Sequence, residues 1–134
     1  MGKEHHRTNW FTRLIEFFRS RRARPWKGAI LCDPSGMKRK ITYENGEEFI
    51  VVTEWSKVTT VSAFKRDLFA YDLICFNFKT AEGSLQVDEE MENFDTLIDA
   101  LPTYLPGALS KAEWWGIVVN PAFTTNWTTL YTAR

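Results

Sequence analysis

The chain has 134 residues, a length typical of one domain, and its 17 Lys and Arg residues balance 17 Asp and Glu residues. No apolar run approaches the roughly 20 residues of a membrane span, and the N-terminus lacks the apolar core of a secretory signal. We therefore expect a cytoplasmic protein. It should fold without a metal or a disulfide, although two cysteines, Cys32 and Cys75, are present.

Positive and negative charges are separated along the chain. Residues 1–40 contain 11 Lys and Arg against 3 Asp and Glu, a balance of +8, whereas residues 41–134 contain 6 against 14, a balance of −8. Such asymmetry indicates an interaction surface. We expect a protein partner and no nucleic acid.

Residues 1–27 are predicted to form a basic N-terminal arm with an amphipathic helix over residues 10–22. Apolar residues recur at the spacing of one helix face, Asn9 precedes the pattern as the N-cap, and Pro25 ends it. The residues expected to contact a membrane or a partner are Trp10, Phe11, Leu14, Phe18, Arg19, Arg21 and Arg22.

Three uses of this helix stay open. Its apolar face could pack on the domain's own core, with the arginines offsetting the acidic second segment. It could instead lie in a membrane surface, because aromatic residues opposite Arg are what an interfacial helix needs. The third use is a partner groove or a dimer contact.

Residues 28–47 are predicted to form a linker and the first strand of a hairpin. Asp33-Pro34 and Ser35-Gly36 indicate loop structure after a short strand at residues 29–32. The hairpin is expected between residues 40 and 53, because Asn45-Gly46 is typical of a type I′ turn, in which both central residues have positive φ.

Residues 48–134 are predicted to form an α+β core domain. In the clearest strand, Ile74, Phe76 and Phe78 share one face, and short connections favour antiparallel pairing. The first apolar run is typical of a strand that is covered on both faces. The predicted strands are 49–53, 58–65, 72–80 and 84–88, with a last strand over 127–132.

Two helices are predicted near the C-terminus. Apolar residues recur at helical spacing between Phe94 and Leu101, with Asn93 as the N-cap and Pro102 at the end. A capping box over residues 110–113 opens the second helix. Its paired tryptophans, Trp114 and Trp115, are interpreted as core residues, with a binding platform as the alternative.

No motif in the sequence indicates catalysis. Both histidines, His5 and His6, lie at the terminus, so the folded part contains no candidate base for Ser-His or Cys-His chemistry. We therefore expect no enzyme activity, no cofactor and no metal site. A small carboxylate-based enzyme stays as an alternative because acidic residues are plentiful.

An acidic cluster surrounds the predicted junction between the fourth strand and the first C-terminal helix. It is interpreted either as a solvated rim around a helix N-terminus or as a negative patch that docks a basic partner and accelerates the encounter. Its members are Glu82, Asp88, Glu89, Glu90, Glu92 and Asp95, with Asp99 beyond them.

Several short motifs resemble those of small bacterial single-domain proteins with a PH-like fold. They are Trp55, Val58, Val61, Ala63–Asp67, Asp72–Cys75, Glu89–Met91, Phe94–Asp95 and Leu101–Pro102, and later Trp114–Trp115, Pro121–Phe123, Asn126 and Leu130–Tyr131. The resemblance covers roughly residues 48–131 and implies a PH-like sheet. Some members of this group are proposed to be toxin-immunity proteins. The N-terminal arm lies outside the resemblance.

The sequence thus predicts an α+β domain with a curved antiparallel sheet, packed by two C-terminal helices and preceded by an amphipathic helix. The favoured function is protein binding, and the resemblance implies toxin neutralisation through the acidic cluster as its specific form. The alternatives are a peripheral module that binds anionic lipid through the N-terminal helix, and a small enzyme.

Overall fold

The structure, a computed structural model, describes residues 25–134. The predicted N-terminal helix and its contact residues, Trp10, Phe11, Leu14, Phe18, Arg19, Arg21 and Arg22, lie outside the described residues. The elements in chain order are β1 (Pro25–Cys32), β2 (Gly36–Tyr43), β3 (Glu48–Glu54), a 3-10 turn (Trp55–Lys57), β4 (Val58–Asp67), β5 (Asp72–Thr80), β6 (Gly83–Asp88), α1 (Phe94–Tyr104), α2 (Lys111–Val119) and β7 (Thr128–Thr132).

Within residues 25–134 the strands form two antiparallel sheets. One has three strands in the order β1-β2-β3, and the other has four in the order β6-β5-β4-β7. The last strand returns to pair with β4, so the C-terminal segment is part of the second sheet. The α+β class and the antiparallel pairing are confirmed, and the strands are divided between two sheets.

Strand β5 supplies the centre of the core. Ile74, Phe76 and Phe78 face the main cluster of buried side chains, as their alternation predicts, while Leu73 and Cys75 pack with Phe64 on the opposite face. Burial raises the pKa of the Cys75 thiol to about 12. Both cysteines of the chain are free thiols.

Aromatic contacts join the four-stranded sheet to both helices. Phe76 lies edge-on to Phe94 of α1 at 5.1 Å and to Trp114 of α2 at 5.3 Å between ring centroids. Edge-to-face pairs of this kind add stability beyond the area that they bury. Both helices are therefore fixed to the same point of β5.

Helix α1 buries the predicted face and differs from the prediction at both ends. Asn93 precedes it with φ 69°, but its side chain donates to the Ile30 carbonyl at 3.0 Å instead of capping the helix. Pro102 lies inside the helix, which continues to Tyr104. One more turn forms because Leu105 N–H donates to the Leu101 carbonyl.

The stretch predicted to be a linker forms β1 and β2. Asp33 closes a tight turn between them by accepting hydrogen bonds from the backbone N–H groups of Ser35 and Gly36. A Cβ at Gly36 would lie 2.4 Å from the Thr53 carbonyl oxygen, so close pairing of β2 with β3 requires glycine. Turn residues that suggested a loop thus connect two strands.

The hairpin between β2 and β3 forms where it was predicted, but its turn is of a different type. Gly46 has φ 86°, Asn45 does not have a positive φ, and Gly46 N–H donates to the Tyr43 carbonyl. This is a three-residue loop with glycine in the left-handed position. The prediction that β3 is covered on both faces is also wrong, because Ile50 and Val52 are exposed.

Replacing Leu97 with Ala should lower the free energy of unfolding by about 2–5 kcal/mol, because Leu97 is fully buried between α1 and the sheets and the smaller side chain leaves a cavity. Chemical denaturation measures the change. Thr96→Ala, on the exposed side of the same turn, serves as the control and should change stability by less than about 0.5 kcal/mol. Equal effects at the two positions would show that the face is assigned wrongly.

Candidate functional site

The structure divides the predicted acidic cluster. Asp88, Glu89, Glu90, Glu92 and Asp95 follow one another through the connection from β6 into α1. Glu82 lies at the other end of β6, where its carboxylate is 3.8 Å from the Lys57 ammonium. The negative patch at the junction is therefore made by these five residues without Glu82.

Several acids of this junction also hold the fold together. A Glu89 carboxylate oxygen accepts the Ile74 backbone N–H at 2.9 Å, and the Glu92 backbone pairs with both Gly28 and Ile30 of β1. Burial raises the pKa of Asp88, and the nearby Glu90 charge acts in the same direction. The exposed carboxylates available to a partner are those of Glu89, Glu90, Glu92 and Asp95.

A tyrosine joins this acidic junction to the loop between β4 and β5. Tyr71 is about half exposed, and its hydroxyl donates to Glu90 at 2.8 Å. That hydrogen bond, followed by burial and the surrounding acids, raises the pKa of Tyr71. The aromatic side chain and the carboxylates therefore belong to one continuous surface.

The tip of the β4–β5 loop presents an exposed phenylalanine on a strained backbone. Phe69 is 98% exposed and has φ 68°. Ala70 N–H donates to the Leu68 carbonyl at 2.8 Å, which makes Phe69 the centre of a three-residue turn. Positive φ at the centre of such a turn is rare and strained, above all for a bulky residue.

A second strained phenylalanine lies in the loop between α2 and β7. Phe123 has φ 59° and is 57% exposed. Its backbone N–H donates to the Asp72 carboxylate at 2.7 Å. Asp72 is the first residue of β5, directly after the loop that holds Phe69, so the two aromatic loops meet at this carboxylate.

A buried lysine joins the α2–β7 loop to the start of β5. The Lys65 ammonium lies 3.1 Å from the Asp72 carboxylate and donates to the carbonyls of Val119 at 3.0 Å and Pro121 at 2.6 Å. Its side chain is 2% exposed, so all three ammonium protons have partners within the protein. The Phe123 N–H, with a further contribution from Lys65, lowers the pKa of Asp72.

Further hydrogen bonds close the α2–β7 loop on itself. Asn126, with φ 49°, donates from its side chain to the carbonyls of Val118 and Pro121, and Thr124 also donates to Pro121. The Lys65 backbone N–H donates to the Thr125 carbonyl at 2.8 Å. The loop is therefore held in one shape by bonds to its own residues and to β4.

We call the surface formed by Phe69, Tyr71, Glu90 and Phe123 the aromatic–acidic surface. Sequence analysis identified Glu90 but missed the three aromatic residues. The available signal was the position of Phe69 and Tyr71 in the short connection between Asp67 and Asp72, because connections between strands run over the protein surface. The positive φ at Phe69 and Phe123 had no sequence signal.

The two tryptophans of α2 differ in burial, and the interpretation of both as core residues holds for Trp114 alone. Trp114 is 1% exposed and belongs to the main core. Trp115 is partly exposed, and the Lys111 ammonium lies 4.5 Å from its ring. A third tryptophan, Trp127, stacks on Phe64 at 4.1 Å and extends the exposed aromatic area beside β7.

Within residues 25–134, no group of three or more His, Cys, Asp or Glu side chains is arranged to hold a metal ion. In the same range no helix combines the length and the apolar character needed to cross a membrane. Comparisons with protein-family models, curated proteins and solved structures found no match. The resemblance to PH-like proteins therefore stays a prediction.

The lowered pKa of Asp72 predicts a pH dependence of stability. The folded-state pKa of Asp72 lies below the unfolded value of about 3.9. The stability that the charged Asp72 carboxylate contributes is therefore complete above that pH and is lost as the pH falls through the folded-state pKa. Urea midpoints measured between pH 7 and pH 2 should therefore fall less steeply in Asp72→Asn than in the parent. Parallel curves for the two proteins would contradict the assignment.

The strain at Phe69 predicts that replacement by glycine does not destabilise the protein. Phe69→Gly should cost no stability and should add up to about 1 kcal/mol, because glycine adopts positive φ freely and little burial is lost. The neighbouring Ala70→Gly, where φ is not positive, should destabilise by about 0.5–1 kcal/mol. Thermal melts of both variants measure the difference, and a large loss at Phe69 would show that its side chain supports the fold.

Proposed function

We propose that this chain is a non-enzymatic, cytoplasmic protein-binding domain whose partner contacts the aromatic–acidic surface. The observation that carries this proposal is the pair of exposed phenylalanines, Phe69 and Phe123, held at positive φ in two loops that meet at Asp72. Strained backbone persists only where surrounding structure enforces it, and it concentrates at functional sites.

The shape of these loops favours binding to a protein. Large aromatic side chains supply much of the binding energy of protein interfaces when they enter pockets on a partner. Lys65 and Asp72 fix the α2–β7 loop, and hydrogen bonds among residues 67–71 fix the β4–β5 loop. Both loops are therefore ordered before the partner arrives, which reduces the entropy lost on binding. Exposed aromatic residues on fixed loops are therefore suited to act as anchors.

The charge of the surface favours a basic partner. Glu89 and Glu90 lie beside Tyr71, and Glu92 and Asp95 follow along the chain. Complementary charges accelerate encounter and select the partner more than they add affinity. A partner that offers apolar pockets between Lys or Arg side chains fits both properties of the surface.

The specific form of this function that we propose is neutralisation of a toxin by a PH-like bacterial immunity protein. The support is the motif resemblance, together with seven strands in two antiparallel sheets and a helix packed on their common core within residues 25–134. A basic toxin surface would be covered by the aromatic–acidic surface. The four exposed carboxylates of the junction would then lie against its cations.

The test is affinity capture from the native host, followed by titration of the purified partner against defined variants. Phe69→Ser with Phe123→Ser should weaken the complex at least about 30-fold, as expected for the loss of one interface anchor worth about 2 kcal/mol. Glu90→Lys with Glu92→Lys should mainly slow association, and this effect should shrink at high salt.

Matched controls place the same changes elsewhere on the described surface. Ile117→Ser removes an exposed apolar side chain of α2, and Glu44→Lys with Glu47→Lys makes the same charge change on the β2–β3 hairpin. Both should bind like the parent. Unchanged affinity in the Phe69 and Phe123 variant would contradict the proposed binding surface. If the parent protein fails to rescue cells that express the captured partner, toxin neutralisation is contradicted while protein binding is not.

A further inference from the structure

The outer face of the three-stranded sheet carries a second exposed surface. Strand register places Leu31, Lys38 and Val52 in one row across the three strands, and Ala29, Lys40 and Ile50 in the next row. We call Leu31, Lys38, Lys40, Ile50 and Val52 the lysine–aliphatic face.

Alternation along the strands shows that this face points away from the core. Ile30, Met37 and Val51, which alternate with its members, pack in or against the main core cluster. Leu31, Ile50 and Val52 are 49%, 53% and 39% exposed. Three aliphatic side chains therefore meet solvent around two lysines of the central strand.

This face carries three lysines and two glutamates, a balance of +1, with the lysines of β2 at its centre. Lys38 and Lys40 are both in β2, and Lys27 of β1 lies opposite Thr42, in phase with Leu31. The acids of the same face stand at the two ends of β3, where Glu48 pairs with Lys40 at 3.6 Å and Glu54 pairs with Lys57 at 3.0 Å.

A tryptophan stands at the edge of the same sheet. Trp26 is 68% exposed at the start of β1, and the Lys27 ammonium lies 5.1 Å from its ring. Tryptophan is enriched at the interface between membrane and water, where its ring sits at the level of the lipid headgroups. Trp26 thus places an exposed indole ring beside Lys27 at the edge of this face.

We propose that the lysine–aliphatic face binds the surface of an anionic lipid bilayer. Lysine is depleted from the centres of protein interfaces, yet here the two lysines of the central strand lie at the centre of the face. At a bilayer, lysine stems can lie along aliphatic surface while the ammonium groups reach the phosphates. This assigns lipid contact to described residues of the sheet and leaves the aromatic–acidic surface, which lies on other elements, for the protein partner.

The test is flotation of the full chain with vesicles of phosphatidylcholine alone and with 30% phosphatidylglycerol. Binding should occur only with the anionic vesicles and should fall steeply with salt. Lys38→Glu with Lys40→Glu should weaken it at least about 25-fold, since each basic residue near an anionic surface contributes about fivefold. Ile50→Thr with Val52→Thr should also weaken binding while keeping β-branched residues in the strand.

Two controls separate this face from net charge and from other surfaces. Lys79→Glu with Lys111→Glu makes the same charge change at exposed sites on other elements and should reduce binding far less. Phe69→Ser with Phe123→Ser should bind vesicles like the parent. The proposal is overturned if the parent ignores anionic vesicles, if both lysine pairs matter equally, or if the Lys38 and Lys40 variant floats like the parent, which would assign lipid binding to residues outside the sheet.

Discussion

The buried Lys65 ammonium is the constraint on which the exposed surface depends. Its partners are the Asp72 carboxylate and carbonyls 54 and 56 residues further along the chain, at Val119 and Pro121. A buried charge is costly unless it is fully paired, so the loops cannot move away without exposing or orphaning the ammonium. This cost holds Phe123 on strained backbone, while hydrogen bonds within the β4–β5 loop, among them Phe69 N–H to the Asp67 carboxylate, hold Phe69.

The two sheets divide the surface chemistry of the domain. The four-stranded sheet ends in aromatic loops beside carboxylates, whereas the three-stranded sheet turns lysines and aliphatic side chains outward. Aromatic contacts around Phe76 pack both helices against the four-stranded sheet. The residues of the two outer surfaces do not take part in these contacts. Under the two proposals, one domain would hold a basic protein partner next to an anionic membrane.

Local patterns in the sequence were sufficient for much of the fold. The alternation around Phe76 and the Ser110–Glu113 capping box depend on neighbours in sequence, and both are confirmed. Contacts between residues distant in sequence could not be predicted. Phe123 is held at positive φ by the carboxylate of Asp72, 51 residues away, and the sequence around Phe123 gives no signal of this conformation. The β3 strand was misassigned as buried on both faces, because an apolar run does not show which of its faces lacks a covering layer.

The most direct test of the account is hydrogen–deuterium exchange of the full chain with and without the captured partner. The aromatic–acidic surface predicts slowed exchange at the amides of residues 68–71 and 122–127, which form the two loops that Lys65 and Asp72 connect. Protection confined to other parts of the chain, with these two loops unchanged, would contradict the claim that their exposed aromatic residues are the binding site.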